Sequence, residues 1–227
     1  MNTVERNALL SAGTSAYHLY KLAIDGLQDA LLSAHRVLDL GCGIGDFGEF
    51  LRKTYTGRLD GVDVVRHSAF RDEYYDSFVK RDLDRETLWE SSTRYDLIFA
   101  LEIIEHLENP RAFCRLAVQV LGAGGLLVIT TPNPTSLSSL TSLIVHGAFR
   151  DFRDGLGMYP THITPILPLD ARRILLECGL HVNSITYSQL GRIPFVPRTY
   201  QSLLPFLRGG LFSDNYRIIG AAQNESK

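Results

Sequence analysis

The sequence predicts an α/β fold in which helices cover both faces of a mostly parallel sheet. The first observation is residues 37–48, where an apolar strand leads into a glycine-rich turn and the start of a helix. This order is typical of the nucleotide-binding corner of an open parallel sheet. The second is that apolar strands recur at 58–64, 77–84 and 95–101, with helical segments between them. The third is the closing order of helix, strand, insert and strand, which predicts a final antiparallel pair.

Composition sets the broad class. The 227 residues suffice for one sizeable α/β domain, so we expect residues 1–227 to form a single domain. The net charge of -2 disfavours nucleic acid as a partner. Cys42, Cys114 and Cys178 are widely spaced, which fits reduced thiols and no zinc site. No signal peptide or integral membrane segment is evident, and we expect a cytoplasmic protein.

The amino-terminal part predicts a loose segment and then helices around the glycine turn. Residues 1–14 are polar and are expected to be loose. Apolar and aromatic residues at helical spacing over 15–32 predict one amphipathic helix, which covers a face of the sheet. A lid over a ligand, formed by Tyr17 or Tyr20, is the alternative role of this helix. A further helix is expected over about 46–54.

The second and third strands end in acids. Asp63 closes the second strand, 20 residues after Gly43, where a carboxylate can hold the ribose hydroxyls of a nucleotide. Asp82 lies at the end of the third strand, at the same edge, and can accept a hydrogen bond from an adenine amino group. Asp84 is expected to cap a short helix near residues 86–89.

The remaining elements follow from apolar pattern and helix signals. The strand at 95–101 is almost wholly apolar and is predicted to be central. The later elements are a helix over 109–121, a fifth strand over 126–131, a helix over 168–179, a sixth strand over 181–187 and a last strand over 215–222. Between them lie two substrate-side inserts at 135–166 and 188–213, the first a long loop or a helical insertion.

Acidic residues at the glycine turn indicate the kind of ligand. The G-x-G-x-x-G match at 43–48 is weak by itself. A dinucleotide would place a pyrophosphate there, and Asp39, Asp46 and Glu49 would repel it. The acids favour a ligand with positive charge, such as the ammonium and sulfonium of S-adenosylmethionine. An NAD-dependent enzyme is the least favoured alternative.

Residues 37–45, Asp63, Asp82 and the block 95–107 resemble the class I S-adenosylmethionine-dependent methyltransferases, over about residues 16–131. The resemblance implies a Rossmann-like, seven-stranded, mostly parallel sheet with an antiparallel last strand, S-adenosylmethionine as cofactor, and methyl transfer. The cofactor-binding residues that it implies, from the methionine end through ribose and adenine to the sulfonium side, are Asp39, Gly41, Gly43, Gly45, Phe47, Asp63, Val64, Asp82, Leu83, Leu101 and Glu102.

The block after the central strand supplies catalytic candidates. An in-line methyl transfer to a hydroxyl requires positioning of the nucleophile and loss of its proton. His106 is the first candidate for the general base, and Glu105 or His162 is the next. The alternative is that Glu105 and His106 only cap the helix that starts near Asn109.

The alternative enzymatic hypothesis is a divalent-metal-assisted 2′-O-methyltransferase of RNA ends. Glu102, Glu105, His106 and His162 are similar to the arrangement in divalent-metal-assisted 2′-O-methyltransferases of small-RNA ends and in some ubiquinone-pathway O-methyltransferases. These residues could form a mixed carboxylate–imidazole site for Mg²⁺. No metal ligand is assigned, because metal-free members of the family look similar here. A catalytically silent S-adenosylmethionine-binding protein is the non-enzymatic alternative.

The methyl acceptor depends on the inserts. Residues 185–213 carry Arg192, Arg198 and Arg208 and no acid, a local charge of +3. This charge fits an anionic or phosphate-bearing acceptor, docking to an anionic membrane surface, or an ordinary solvated face. The main expectation is O-methylation of a small-molecule or glycan acceptor, by a chain that could form a homodimer.

Overall fold

The computed structural model describes residues 3–11, 13–155, 158 and 160–223. Seven strands form one sheet in the order β3-β2-β1-β4-β5-β7-β6. The strands are β1 (Arg36–Leu40), β2 (Arg58–Asp63), β3 (Ser77–Lys80), β4 (Tyr95–Leu101), β5 (Leu121–Pro132), β6 (His181–Tyr187) and β7 (Asn215–Ala221). The helices are α1 (Thr3–Ser11), α2 (Tyr17–Ile24), α3 (Gln28–Ser33), α4 (Asp46–Leu51), α5 (Pro110–Val118), α6 (Leu137–His146), α7 (Pro168–Glu177) and α8 (Tyr200–Leu203). β7 is antiparallel to both of its neighbours, and the other pairings are parallel. The predicted fold class is confirmed.

Alternating side chains of the central strands create two hydrophobic layers. Leu38 and Ile98 face one side and pack with residues of α5 and α7. Val37 and Phe99 face the other side and pack with residues of α2, α3 and α4. Because side chains alternate along a strand, a wholly apolar strand is buried on both faces. The layers fix the sheet and leave its carboxyl edge to carry the site.

The glycine corner between β1 and α4 is in close backbone contact with the amino-terminal segment. Gly43 has a φ of +53°, and a Cβ there would overlap the carbonyl oxygen of Gly13. The Ile44 amide donates to that same oxygen at 3.4 Å. Glycine meets both requirements, since it has no side chain and adopts positive φ at low cost.

The Tyr75 hydroxyl forms hydrogen bonds on both sides of the glycine corner. Its hydroxyl donates to Asp39 Oδ2 at 2.6 Å and accepts from the Gly48 amide at 3.0 Å. Burial raises the pKa of the Asp39 carboxyl to about 7, although the Tyr75 hydrogen bond lowers it in part. The end of β1 and the first turn of α4 are therefore joined through one phenol.

Two amino-terminal predictions were wrong. Most of the segment expected to be loose forms α1. The single helix expected over 15–32 is two helices, α2 and α3, separated by a turn at Gly26. The buried Arg217 of β7 donates to the carbonyls of Leu22 (2.7 Å) and Asp25 (2.5 Å) and so caps the end of α2. Helical spacing alone could not show this cap, because its donor lies about 190 residues away.

Two predictions between the third and fifth strands also need correction. Residues 86–89 have no helix, and Asp84 instead accepts from the amides of Glu108 and Asn109, both at 3.0 Å. β5 begins at Leu121, five residues before the predicted start, because the glycine stretch 122–125 continues the strand. A register shift between Tyr95 and Leu97 of β4 accommodates these glycines.

The two inserts differ in structure. Residues 135–166 form the helical insertion rather than a long loop, with α6 and a short 3₁₀ turn over Arg150–Phe152. Residues 188–213 contain α8 and a second 3₁₀ turn at Gly210–Phe212 within irregular chain. Within the part of the chain that the structure describes, no helix has the length and apolar character needed to cross a membrane.

A substitution at Gly48 tests the Tyr75 contact. A Cβ at this position would overlap the Tyr75 ring, which cannot withdraw because its hydroxyl is bonded to two partners. We expect Gly48→Ala to lower the free energy of unfolding by about 2–3 kcal/mol, measured by urea denaturation.

Gly26→Ala is the matched control. Gly26 has a φ of +70° and open space around it, so only backbone strain of about 1 kcal/mol is expected. A Gly48→Ala variant as stable as Gly26→Ala would show that the Tyr75 contact does not constrain the corner.

Candidate active site

A cavity of about 530 Å³ lies at the carboxyl edge of the sheet. It is lined by the amino-terminal segment, the glycine corner, the ends of β2 and β4, the segment after β3 and part of the first insert. The predicted site residues that line it are Gly41, Asp63, Val64, Asp82, Leu83, Leu101, Glu102, His106 and His162. The predicted residues that do not line it are Asp39, Gly43, Gly45, Phe47 and Glu105. The structure thus brings most of the predicted side chains to one cavity.

The end of β2 presents a fixed carboxylate to this cavity. Asp63 Oδ2 accepts from the Gly43 amide at 2.9 Å, and Oδ1 accepts from the Val65 amide at 3.3 Å. Burial raises the pKa of Asp63, while these amides lower it in part. Asp82 is oriented in a similar way, since its Oδ1 accepts from the Asp84 amide at 3.1 Å. Two oriented carboxylates therefore lie along the edge.

Residues behind the cavity surface have structural contacts. Phe47 packs against Phe99, with ring centroids 4.9 Å apart, and against Tyr20 at 5.5 Å. The buried Tyr20 is part of the core; Thr14, Ser15, Ala16 and Leu19 supply the helix-side wall of the cavity. Direct cofactor contacts of Asp39, Gly43, Gly45 and Phe47 stay predictions.

Two glutamates after β4 are short of hydrogen-bond partners. Glu102 has a φ of +53°, and its Oε2 accepts from Asn215 Nδ2 at 2.9 Å. Glu105 is fully buried, and its Oε2 accepts from the Thr131 hydroxyl at 2.9 Å. The Oε1 atom of each is buried without a partner among the described residues. Burial raises the pKa of both carboxyls, and the charge of Glu105 raises that of Glu102 further.

His106 has the geometry of a neutral base. Its Nδ1 lies 2.8 Å from the carbonyl oxygen of Thr161. A carbonyl can only accept, so Nδ1 carries the hydrogen and Nε2 keeps its lone pair in the neutral ring. Burial, and then the nearby His162, lower the pKa of His106 to about 4. The imidazole is therefore uncharged at neutral pH.

His162 of the first insert lies against this base. The two imidazole rings have centroids 4.7 Å apart at an interplanar angle of 81°. His162 Nδ1 lies 2.8 Å from the Asp151 carbonyl oxygen, which fixes its hydrogen in the same way. Burial lowers the pKa of His162 as well. The 135–166 insert thus contributes directly to the site.

The capping alternative for Glu105 and His106 is wrong. The α5 helix is capped by Asn109 itself, whose Oδ1 accepts from the Ala112 amide at 3.0 Å. Glu105 and His106 belong to a separate 3₁₀ turn, Ile104–His106. Their side chains are directed at Thr131 and at the first insert instead.

The same cluster has the composition of a cation site. Glu105, His106 and His162 each offer one ligand atom, and these atoms lie within 4.8 Å of one another. Glu105 Oε1 is buried without a partner among the described residues and is therefore available as a ligand atom. A divalent ion bound there would lower the pKa of a coordinated hydroxyl and hold it in place.

Three parts of the site were not predicted from the sequence. These are the segment 13–16, Tyr75 and Asn215, which contact the glycine corner, Asp39 and Glu102 respectively. Gly13 gave a weak signal as a glycine before a helical pattern. Tyr75 and Asn215 lie far along the chain from their partners, and nothing in their local sequence indicates these contacts.

Comparison with known proteins agrees with the geometry. A family model described as "Methyltransferase domain" matches residues 15–185. The mitochondrial ubiquinone biosynthesis O-methyltransferase of Rattus norvegicus is 36% identical over 169 residues, which cover 68% of this chain and 46% of that protein. The ubiquinone biosynthesis O-methyltransferase of Coxiella burnetii is 27% identical over 171 residues, which cover 70% and 72%. The chain spans less than half the length of the first relatives, 40% for the Dictyostelium discoideum protein.

Solved structures share the fold. An S-adenosylmethionine-dependent methyltransferase from Clostridium acetobutylicum superimposes with a TM-score of 0.64 at 14% identity, covering 97% of each chain. A methyltransferase from Archaeoglobus fulgidus gives a TM-score of 0.60 at 23% identity, covering 91% of this chain and 95% of that one. The family match covers more than half of the chain, and the sheet order and glycine corner agree with it. The chain belongs to the class I S-adenosylmethionine-dependent methyltransferase family.

Proposed function

We propose that the protein transfers the methyl group of S-adenosylmethionine to a hydroxyl of a small-molecule acceptor, with His106 as general base. The observation that carries the proposal is the tautomer of His106, which lines the cavity and whose Nδ1 is held by the Thr161 carbonyl, so that the neutral ring keeps its lone pair on Nε2. The names of the relatives, ubiquinone biosynthesis O-methyltransferases, support a hydroxyl as the acceptor atom.

The methyl transfer requires only S-adenosylmethionine, the acceptor hydroxyl and His106. The acceptor oxygen attacks the methyl carbon in line with the carbon–sulfur bond, and the electron pair of that bond passes to sulfur. The positive sulfonium becomes a neutral thioether, and the hydroxyl proton passes to His106 Nε2. Positioning supplies much of the acceleration, since the displacement needs the oxygen about 3 Å from the methyl carbon. The acidic edge of the cavity favours the positively charged cofactor over its neutral product.

Asp63 is proposed to hold the ribose hydroxyls. Its carboxylate lines the cavity and is fixed by the Gly43 amide. We expect Asp63→Asn to weaken the binding of S-adenosylhomocysteine by about 10- to 100-fold, measured by calorimetry, because a charged acceptor is lost. Asp72→Asn, at an exposed acid, is the control.

Loss of affinity in both variants, or in neither, would contradict the assigned role of Asp63. Tight binding of NAD with no binding of S-adenosylhomocysteine would contradict the cofactor itself.

His106→Ala tests the catalytic step. We expect turnover to fall by about 100-fold or more, with cofactor affinity within about twofold of the wild type. His146→Ala, at an exposed histidine of α6, should leave both unchanged.

Because the pKa of His106 is lowered to about 4, its base form is present throughout the neutral range. Its protonation should therefore reduce kcat/KM only below about pH 5.

Unchanged turnover in His106→Ala would remove the general base from the proposal. A protein that binds S-adenosylmethionine and methylates no acceptor of any class would instead be a silent cofactor-binding protein.

Metal assistance is a second candidate, supported by the unpartnered oxygens of Glu102 and Glu105. The residues that would hold a divalent ion are Glu105, His106 and His162. This candidate predicts that 1 mM Mn²⁺ or Mg²⁺ raises the Tm of the chelator-treated protein by about 5 °C, because an ion that binds only the folded state stabilises it.

Glu105→Gln should abolish that thermal shift, while Glu108→Gln, at a residue outside the cluster, should keep it. An unchanged Tm, together with full turnover in the presence of chelator, would eliminate the metal and leave His106 as the base.

A further inference from the structure

A second cavity, of about 580 Å³, lies between the two inserts. Residues of both inserts line it, and three of the seven are arginines. The lining residues are Arg150, Arg192, Val196, Pro197, Arg198, Thr199 and Ser202, with no acid among them. Arg192 and Arg198 were expected to act together with Arg208, but Arg208 is exposed and outside the cavity, and Arg150 lines the cavity instead.

Arg150, Arg192 and Arg198, which line this cavity, are here called the arginine wall. Tertiary contacts hold it in place. Arg192 pairs with Asp151 at 3.3 Å and with Asp214, which also accepts from the Arg192 amide at 3.1 Å. An isolated antiparallel bridge joins Arg192 to Thr199 and brings Arg198 to the same turn. Both nearby acids are thus engaged by a single arginine, and the second insert is fastened to the first.

The other two guanidinium groups lack a carboxylate. Among the described residues, neither Arg150 nor Arg198 has an ion-pair partner. The Arg150 side chain is oriented by the Ser138 hydroxyl, at 2.7 Å from its Nη1. Burial, and then the charge of Arg192, lower the pKa of Arg150. Guanidinium groups without a carboxylate partner are available to bind an anion, and they match the geometry of phosphate and carboxylate oxygens.

Direct contacts connect this cavity to the candidate active site. Asp151 pairs with Arg192 through its carboxylate and orients His162 through its carbonyl. Asp214, the other partner of Arg192, precedes Asn215, which donates to Glu102. The arginine wall therefore borders the residues that flank the proposed base, on the side formed by the inserts.

We propose that this cavity binds an anionic group, a phosphate or a carboxylate, of the methyl acceptor. The proposal rests on the proposed function, because it assigns the anion to the molecule that is methylated. The anion would be held by Arg150 and Arg198, on the side of the inserts where Asp151 contacts both Arg192 and His162. The protein would then select acceptors by charge as well as by shape.

The binding test uses the full chain saturated with S-adenosylhomocysteine and titrated with inorganic pyrophosphate in a calorimeter. We expect Arg198→Gln and Arg150→Gln each to weaken pyrophosphate binding by at least about tenfold. Arg208→Gln makes the same charge change in the same insert outside the cavity, and its affinity should stay within about twofold. Unchanged S-adenosylhomocysteine affinity in each variant shows that it is folded. Equal pyrophosphate affinities in Arg198→Gln and Arg208→Gln would overturn the proposal.

The turnover test uses matched phenolic acceptors with no anion, with a carboxylate and with a phosphate monoester. We expect Arg198→Gln to raise the KM of an anionic acceptor by at least about tenfold and to leave that of the neutral acceptor unchanged. The more affected anion identifies the group that is bound. Equal effects on charged and neutral acceptors would show that Arg198 does not contact the anion of the acceptor, which overturns the assignment to the acceptor. Failure to methylate any acceptor would contradict the proposed function, while the pyrophosphate titration would still decide whether the cavity binds anions.

Discussion

The hydrogen bonds of the Tyr75 hydroxyl to Asp39 and to the Gly48 amide hold the functional end of this protein together. Asp39 is buried at the end of β1, where an ionised carboxylate without partners would be costly. Tyr75 supplies a partner and at the same time fixes the first turn of α4. The Asp63 carboxylate fixes the other side of the corner through the Gly43 amide. The hydrogen bonds of Asp39 and Asp63 thus fix the conformation of the glycine corner, and its glycines make that conformation sterically possible.

Charge is unevenly distributed between the two cavities. The proposed cofactor cavity has the carboxyl groups of Asp63 and Asp82 on its walls, whereas the cavity between the inserts has arginines and no acid. A cationic cofactor and an anionic acceptor would each meet the opposite charge. His106, at the edge of the acidic cavity, is kept neutral by burial and by its histidine neighbour. One short segment after β4 therefore combines a neutral base with two acids of raised pKa, and this proximity connects the proposed base to the metal-assisted alternative.

Much of the sheet could be predicted, and the reason is periodicity. β4 and β6 have the predicted bounds, because their apolar or alternating runs allow few other structures. The predicted helix over 168–179 was also present as α7, ended by Gly179. The predictions were wrong where a residue distant in sequence forms a contact that the local sequence pattern does not show. Arg217 divides the amino-terminal helical region, and Asp84 bonds to the start of α5 rather than capping a helix of its own.

The sequence by itself determined the class of fold and the edge of the sheet that carries the site, since strand-end acids and a glycine turn are local features. It also singled out the block from Glu102 to His106. Only the tertiary structure decided how these side chains are used. His106 became a candidate base because Thr161 fixes its tautomer, and Arg192 ceased to be a free charge because Asp151 and Asp214 neutralise it. The physical reason is the same in each case: protonation and pairing depend on partners that are distant in sequence and adjacent only after folding.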